Sequence, residues 1–202
     1  MRQTIALIVD AYRELNYKKL FWITLIVSTI VVLSFLGVKI DDDFMTVFGM
    51  KVKLGLNMLL MERAEFYRYL YIVLGVNIWL TWAATILALI STGGIFPDLL
   101  TGGSIDLYLS KPISRLRLFL TKYFTGLLFV ALQVGAFAVG SLLVLAIRGH
   151  VWIWGVLLAV PIVLVFYSYL YCVCVLIGVL TRSTLAAILL TCLLWFTVLG
   201  VH

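Results

Sequence analysis

Residues Pro97 to Tyr123 read PDLLTGGSIDLYLSKPISRLRLFLTKY, a polar interruption between two long apolar runs. The stretch holds Asp98, Asp106, Lys111, Arg115, Arg117 and Lys122, while uncharged residues dominate on either side. Local chemistry breaks it into short helices joined by turns. Pro97 suits a first helical turn, Gly102-Gly103 punctuates, and Ser104 can cap a helix over Ile105 to Ser110. Pro112 stops that helix, because the residue before a proline is pushed out of the α region. Ser114 can cap the next one, which continues as Arg115-Leu-Arg117-Leu into the following apolar run. The product is a small helix backed by basic residues, which is the form of a docking element.

Outside this stretch the chain is too apolar for a soluble body. Of 202 residues 64% are hydrophobic and 12% are charged, and the mean hydropathy is +1.18. Soluble domains carry about 25% charge. Five stretches lack any charge: Leu20–Val38, Tyr69–Pro97, Tyr123–Ile147, Val151–Thr181 and Ser183–His202. Each reaches the roughly 20 residues a helix needs to cross about 30 Å of hydrocarbon. A mid-bilayer charge costs about 2.5–3.5 kcal/mol on the insertion scale, so five clean runs mark an all-α, polytopic transmembrane helix bundle. The expected organisation is a single transmembrane domain over 1–202. Its spans fall at 20–38, 69–96, 123–147, 151–180 and 184–202, with an external loop at 39–68 and a cytoplasmic segment at 97–122.

A net charge of +6 invites a nucleic-acid reading, but the basic residues sit at the borders of the apolar runs and form no basic patch. With alternating spans, nine fall on one side: Arg2, Arg13, Lys18, Lys19, Lys111, Arg115, Arg117, Lys122 and Arg182. Six fall on the other, at Lys39, Lys51, Lys53, Arg63, Arg68 and Arg148, most of them in a loop that also holds five acids. The positive-inside rule puts the richer side in the cytoplasm. The expectation is a multi-pass protein of an inner or plasma membrane, N-terminus and Pro97–Tyr123 segment inside, with the lipid bilayer as partner and no nucleic acid.

Smaller features follow in chain order. Ile5, Ile8, Val9 and Tyr12 repeat with helical spacing while Arg2, Asp10, Arg13 and Glu14 take other faces, so residues 1–19 read as an amphipathic helix in the membrane interface. Asp41-Asp42-Asp43 read as a solvated turn, since calcium loops space their ligands. From Met50 to Leu56 the apolar residues alternate, which fits a short strand or a helix lying on the membrane. Asn77 and Gln133 are polar residues within spans, candidates for a pathway lining or for interhelical hydrogen bonds. Ala131-xxx-Gly135 and Ala136-xxx-Gly140 permit close helix approach. Pro161 lies inside the fourth span, whose inner half is crowded by Tyr167, Tyr169 and Tyr171.

No catalytic chemistry emerges. Cys172 and Cys174 are two apart, which on a helix points them to different sides, so with Cys192 they read as small hydrophobes. His150 and His202 stand at loop ends, and no metal site is expected. The phosphate-binding motif G-x-x-x-x-G-K-[ST] is missing, as are a nucleophile–base pair and a span-embedded carboxylate for a proton relay. The body has the form of a pathway without an engine, so energy must come from a partner.

The residues Gly94-Ile-Phe-Pro97-Asp-Leu-Leu-Thr101-Gly-Gly103-Ser104-Ile105-Asp106-Leu-Tyr108-Leu109-Ser110-Lys111-Pro112-Ile113-Ser114-Arg115, with Lys122-Tyr123 downstream, resemble the signature of type-2 ABC transporter permeases. That pattern is approximately an acidic residue, then G-T-[IL]-[DE]-L-L-L-[ST]-K-P-[IV]-[ST]-R, then Lys-Tyr opening the third helix. The resemblance implies a membrane-spanning permease subunit of an ATP-driven exporter, not itself an enzyme. It would work as a homo- or heterodimer of permeases with separate ABC ATPase subunits that bind the ATP and magnesium, and no cofactor is expected in this chain. It also implies a coupling helix after span two, seated in an ATPase groove through Gly103, Ser104, Ile105, Asp106, Tyr108, Leu109, Lys111, Pro112 and Arg115. Ile105, Tyr108 and Leu109 would fill the groove, and Asp106, Lys111 and Arg115 would supply polar contacts or caps. The chain departs from the pattern at Thr101-Gly102, which stand where the family carries an acid. Family members have six spans against the five counted here, so the resemblance implies either that this copy lacks the last helix or, the favoured reading, that the chain is the N-terminal part of a longer protein with an external domain between spans five and six. The alternative is a non-transporting membrane anchor or scaffold for a cytoplasmic or external partner.

Overall fold

The computed structural model describes residues 19–40, 44–47, 50–53, 63–101, 114–149 and 152–201. The chain is helical in class. Its helices are α1 (Lys19–Leu36), α2 (Arg63–Leu70), a π-helix (Tyr71–Ala84), α3 (Thr85–Thr92), α4 (Ile95–Thr101), α5 (Arg115–Gly149), α6 (Gly155–Thr181) and α7 (Thr184–Val201). Among the described residues three helical stretches are long and apolar enough to cross a membrane: Glu65–Leu100, Arg115–Ile147 and Gly155–Thr181. Two further apolar helices, Phe21–Leu36 and Thr184–Gly200, are shorter. Large apolar side chains lie bare along them, among them Trp22, Ile26, Ile30 and Leu33 on α1 and Leu185, Leu189 and Leu193 on α7. Water would penalise such a surface and hydrocarbon does not.

The stretch expected as an external loop contains a small antiparallel sheet. Strands β1 (Val38–Ile40), β2 (Phe44–Val47) and β3 (Met50–Lys53) lie in the order β1-β2-β3, with Val38 opposite Val47 and Phe44 opposite Lys53. The alternation from Met50 therefore resolves as a strand, because β2 supplies the ladder partners that seven isolated residues could not reveal. Tyr67 of α2 donates its hydroxyl to the Val38 carbonyl at 3.2 Å, tying the start of the sheet to the helix that follows it. Asp41–Asp43, Leu54–Glu62, His150, His202 and the amphipathic stretch up to Lys18 lie outside the described residues.

Helix limits differ from the charge-free runs. α5 begins at Arg115, eight residues before Tyr123, and runs unbroken for 35 residues. Pro161 sits inside α6 without ending it. The π-helix of 14 residues replaces α geometry in the first half of the second apolar run. Its wider turn shows in a side chain too, since Thr81 donates to the carbonyl of Val76, five residues back, at 2.9 Å. Such helices are rare, and the short ones are frequent at functional sites.

The residues group into two compact units. The first comprises residues 1–22, 85–132 and 164–202, and its helix directions follow from its own contacts. Thr92 meets Tyr167 and Phe96 meets Tyr171, so α3–α4 run parallel to α6. Gly178 faces Ala187 while Phe166 meets Trp195, so α6 and α7 form an antiparallel hairpin. Its turn is sharp: Thr181 ends α6, Arg182 takes a left-handed φ of 52°, and Ser183 caps α7 through the Ala186 amide at 3.4 Å. The second unit comprises residues 23–84 and 133–163. There Trp79 of the π-helix packs on Phe137 of α5, with centroids 6.4 Å apart. A Cβ at Gly140 would lie 3.1 Å from Val32, so the Ala136-xxx-Gly140 spacing serves contact with α1, whereas Gly135 faces open space.

Candidate functional site

The expected coupling residues Gly103, Ser104, Ile105, Asp106, Tyr108, Leu109, Lys111 and Pro112 lie outside the described residues. The structure gives the two roots from which that stretch departs, and both belong to the first unit. On one side α3 ends at Thr92, and Gly93-Gly94 turn the chain into α4, with the Gly93 amide on the Leu89 carbonyl at 2.7 Å. Any Cβ at Gly93 would stand 2.9 Å from Ile188 of α7, so glycine lets that helix close on the turn. Pro97 falls in the first turn of α4, where its missing N–H costs nothing. On the other side Ser114 caps α5 as expected. Its Oγ accepts from the Arg117 amide at 3.4 Å and its carbonyl accepts from Leu118 at 3.1 Å.

The roots meet through aromatic rings. Phe96 of α4 packs on Phe119 of α5 with centroids 5.0 Å apart, and Phe119 stacks on Tyr123 at 6.4 Å. Tyr123 stacks on Tyr171 at 5.2 Å, and Tyr171 on Tyr167 at 5.7 Å. Spacing on α6 explains the last pair, since residues four apart share a helix face. Tyr167 and Tyr171 are fully buried, while Tyr169 is 72% exposed.

Hydroxyls lock most of this stack. The Thr92 hydroxyl donates to the Ala88 carbonyl at 2.8 Å, so its single proton is committed and the Tyr167 O–H must donate to Thr92 at 2.5 Å. Tyr123 reaches the Ser168 hydroxyl at 2.8 Å and the Cys172 thiol at 3.1 Å. Tyr171 differs, for its buried hydroxyl has no partner. It lies over Gly126, where a Cβ would come within 2.5 Å of the oxygen.

Beside the roots is a cavity of about 310 Å³ lined by Phe96, Leu99, Leu100, Arg115, Leu118 and Phe119. Arg115, the one described member of the coupling set, is exposed at its rim, and Lys122 is buried two turns further along α5. Of the two polar span residues, Asn77 is exposed and Gln133 is buried at 2% exposure with both amide atoms unpartnered. The cysteines diverge as helical spacing requires, Cys172 exposed and Cys174 buried. Among the described residues no three metal-ligating side chains converge.

The aromatic array was only half visible in the sequence. Tyr167 and Tyr171 are signalled by their spacing, whereas Phe96, Phe119 and Tyr123 need the approach of α4 to α5 to become one cluster. It is a row of packed rings whose hydroxyls, apart from that of Tyr171, are paired. No family model matches the sequence, and neither a curated protein nor a solved structure matches the chain.

Proposed function

We propose that this chain is the membrane-spanning permease subunit of an ATP-driven exporter, moved through residues 103–115 by a separate ABC ATPase. The observation that carries this reading is the capped, proline-ended motif from Gly94 to Arg115. Its two roots are joined by the Phe96–Phe119 contact and backed by the tyrosine stack. A push on the short helix would reach both roots together, and the locked rings behind them would pass it to α3, α5 and α6 as a rigid displacement.

Five spans with the N-terminus in the cytoplasm complete the reading. Parallel α3–α4 and α6 with an antiparallel α7 are the directions that alternating spans require, and nine basic residues against six favour the Pro97–Tyr123 side as cytoplasmic. The N-terminal amphipathic stretch would lie in the inner interface. Two such permeases would bracket the path, the ATP and magnesium being held by the ATPases.

Ile105→Glu and Leu109→Glu test the assignment. Both substitutions are expected to abolish co-purification with a co-expressed ABC ATPase subunit, and with it the stimulated ATP hydrolysis. Survival of both properties sinks the coupling assignment. Export of cargo separates the permease from an anchoring subunit, which would bind the ATPase and move nothing.

A further inference from the structure

Within the second unit, α1 and α5 leave a groove of about 290 Å³ between them, lined by Leu25, Ser28 and Val32 on one side and Ala136, Phe137 and Gly140 on the other. Its walls are apolar and none of its lining residues is ionisable. Ser28 is the exception in character, being 3% exposed with a hydroxyl that has no partner. A serine in a helix normally turns its hydroxyl back to the carbonyl four residues earlier. Thr29 does so at 2.8 Å, as do Ser91 and Thr121 elsewhere in the chain. Ser28 does not. One turn before Phe137 on α5, Gln133 is also buried, and its carboxamide is unpartnered at both ends.

We propose that this groove binds one neutral lipid carrying a free hydroxyl, of the diacylglycerol or long-chain alcohol class. Hydrocarbon lies along Leu25, Val32 and Phe137, and the hydroxyl pairs with Ser28 in the lining and with the carboxamide of Gln133, which stands just beyond the lining, one turn before Phe137. Those two side chains offer both donors and acceptors, which is what a hydroxyl complements. A phosphate or ammonium head finds no counter-charge here, and burying it unpaired is costly. The volume corresponds to about ten water molecules, the scale of one slender chain. A helix from a second copy is less suited, because Gly140, the small residue that would admit it, already receives Val32. The proposal rests on these helices lying in a membrane and is independent of the ATPase.

The test uses the full chain in phosphatidylcholine nanodiscs with three photoactivatable probes: a diacylglycerol, the same molecule with its hydroxyl acetylated, and a phosphatidylglycerol. The free-hydroxyl probe is expected to label the Leu25–Val32 and Ala136–Leu143 segments over the other two by on the order of fivefold, the yield of one net hydrogen bond. Ser28→Ala and Gln133→Leu should each bring that ratio toward one, and Ser28→Thr should retain it. Ala136→Leu, at an exposed position on the groove wall, should suppress labelling by all three probes without touching a polar group. Equal labelling by the three probes in the parent chain overturns the proposal, as does labelling indifferent to Ser28→Ala and Ala136→Leu. A photo-crosslink joining these segments in two copies overturns it as well, since the second copy then fills the groove. No ATPase enters the measurement, so failure here and failure of the exporter reading are separate results.

Discussion

The interiors of the two units differ in how many of their buried polar side chains are paired. In the first, the Tyr167 and Tyr123 hydroxyls are paired, with Thr92 and with Ser168 and Cys172, and of its described residues Tyr171 alone has a buried polar side-chain atom without a partner. In the second, Ser28, Tyr71, Trp79, Gln133 and Ser141 are buried with polar atoms unpartnered. Both interiors are built from apolar helices, so composition does not explain the contrast. A paired interior holds one arrangement, which suits an element that must pass on a displacement. An interior of unmet donors and acceptors suits a place that receives something polar or rearranges. The π-helix, which carries Tyr71 and Trp79, belongs to this second interior.

Gly126→Ala should have the largest effect, because the first unit has no slack where Tyr171 crosses α5. The new Cβ would come within 2.5 Å of the Tyr171 hydroxyl and 2.7 Å of its ring. The overlap should cost about 1–3 kcal/mol, as core overpacking does, seen as a lowered Tm in detergent. An unchanged Tm would mean that the stack yields, and the rigid displacement proposed for it would lose its support.

Gln133→Leu should act in the other direction. Removing an unpartnered carboxamide from the second unit relieves a desolvation penalty of about 1–3 kcal/mol, so the variant should be more stable than the parent in lipid-free detergent. Addition of dioleoylglycerol should raise the parent's Tm and leave the variant's unchanged. A destabilised variant would show that the carboxamide is already satisfied, and the contrast between the units would shrink.

The sequence already carried the apolar runs, the basic asymmetry and the Ser114 cap, because each depends on residues adjacent along the chain. The start of α5 at Arg115 was legible too, from the Ser114 cap, although the charge-free run that follows begins only at Tyr123, because charge and helix do not end at the same residue. The π-helix left no signature, for nothing in the run Tyr71–Ala84 distinguishes a hydrogen bond to the fifth residue from one to the fourth. β2 is four residues long and becomes a strand only between its two neighbours. Gln133 was visible as polar, but its isolation is a property of the helices around it. Likewise Asn77 and Gln133 looked alike in the sequence, and the fold turns one outward and the other inward.

A finer comparison lies inside the first unit. Tyr167 and Tyr171 are one turn apart, stacked and equally buried, yet only Tyr167 has a hydroxyl partner. Tyr167→Phe should therefore cost about 1 kcal/mol, the net worth of a hydrogen bond, while Thr92 keeps its own bond to Ala88. Tyr171→Phe should be neutral or stabilising, because the oxygen it removes was dehydrated and unpaired. The pair of Tm shifts checks this, and equal losses at both positions would show that Tyr171 too has a partner.

The smallest effect is expected at the α6–α7 turn. Arg182 holds a φ of 52°, where an L side chain crowds its own carbonyl and glycine does not. Its amide nevertheless closes the helix on the Gly178 carbonyl at 2.9 Å, so the conformation is imposed by the cap and the hairpin. Arg182→Gly keeps that bond and removes the crowding, but it frees the unfolded chain, which offsets part of the gain. The net stabilisation should be under about 1 kcal/mol. Arg182→Val should destabilise by more than that, because a β-branched residue tolerates this region least. If glycine and valine shifted the Tm alike, the turn would owe its shape to the residues that flank it, Thr181 and the capping Ser183.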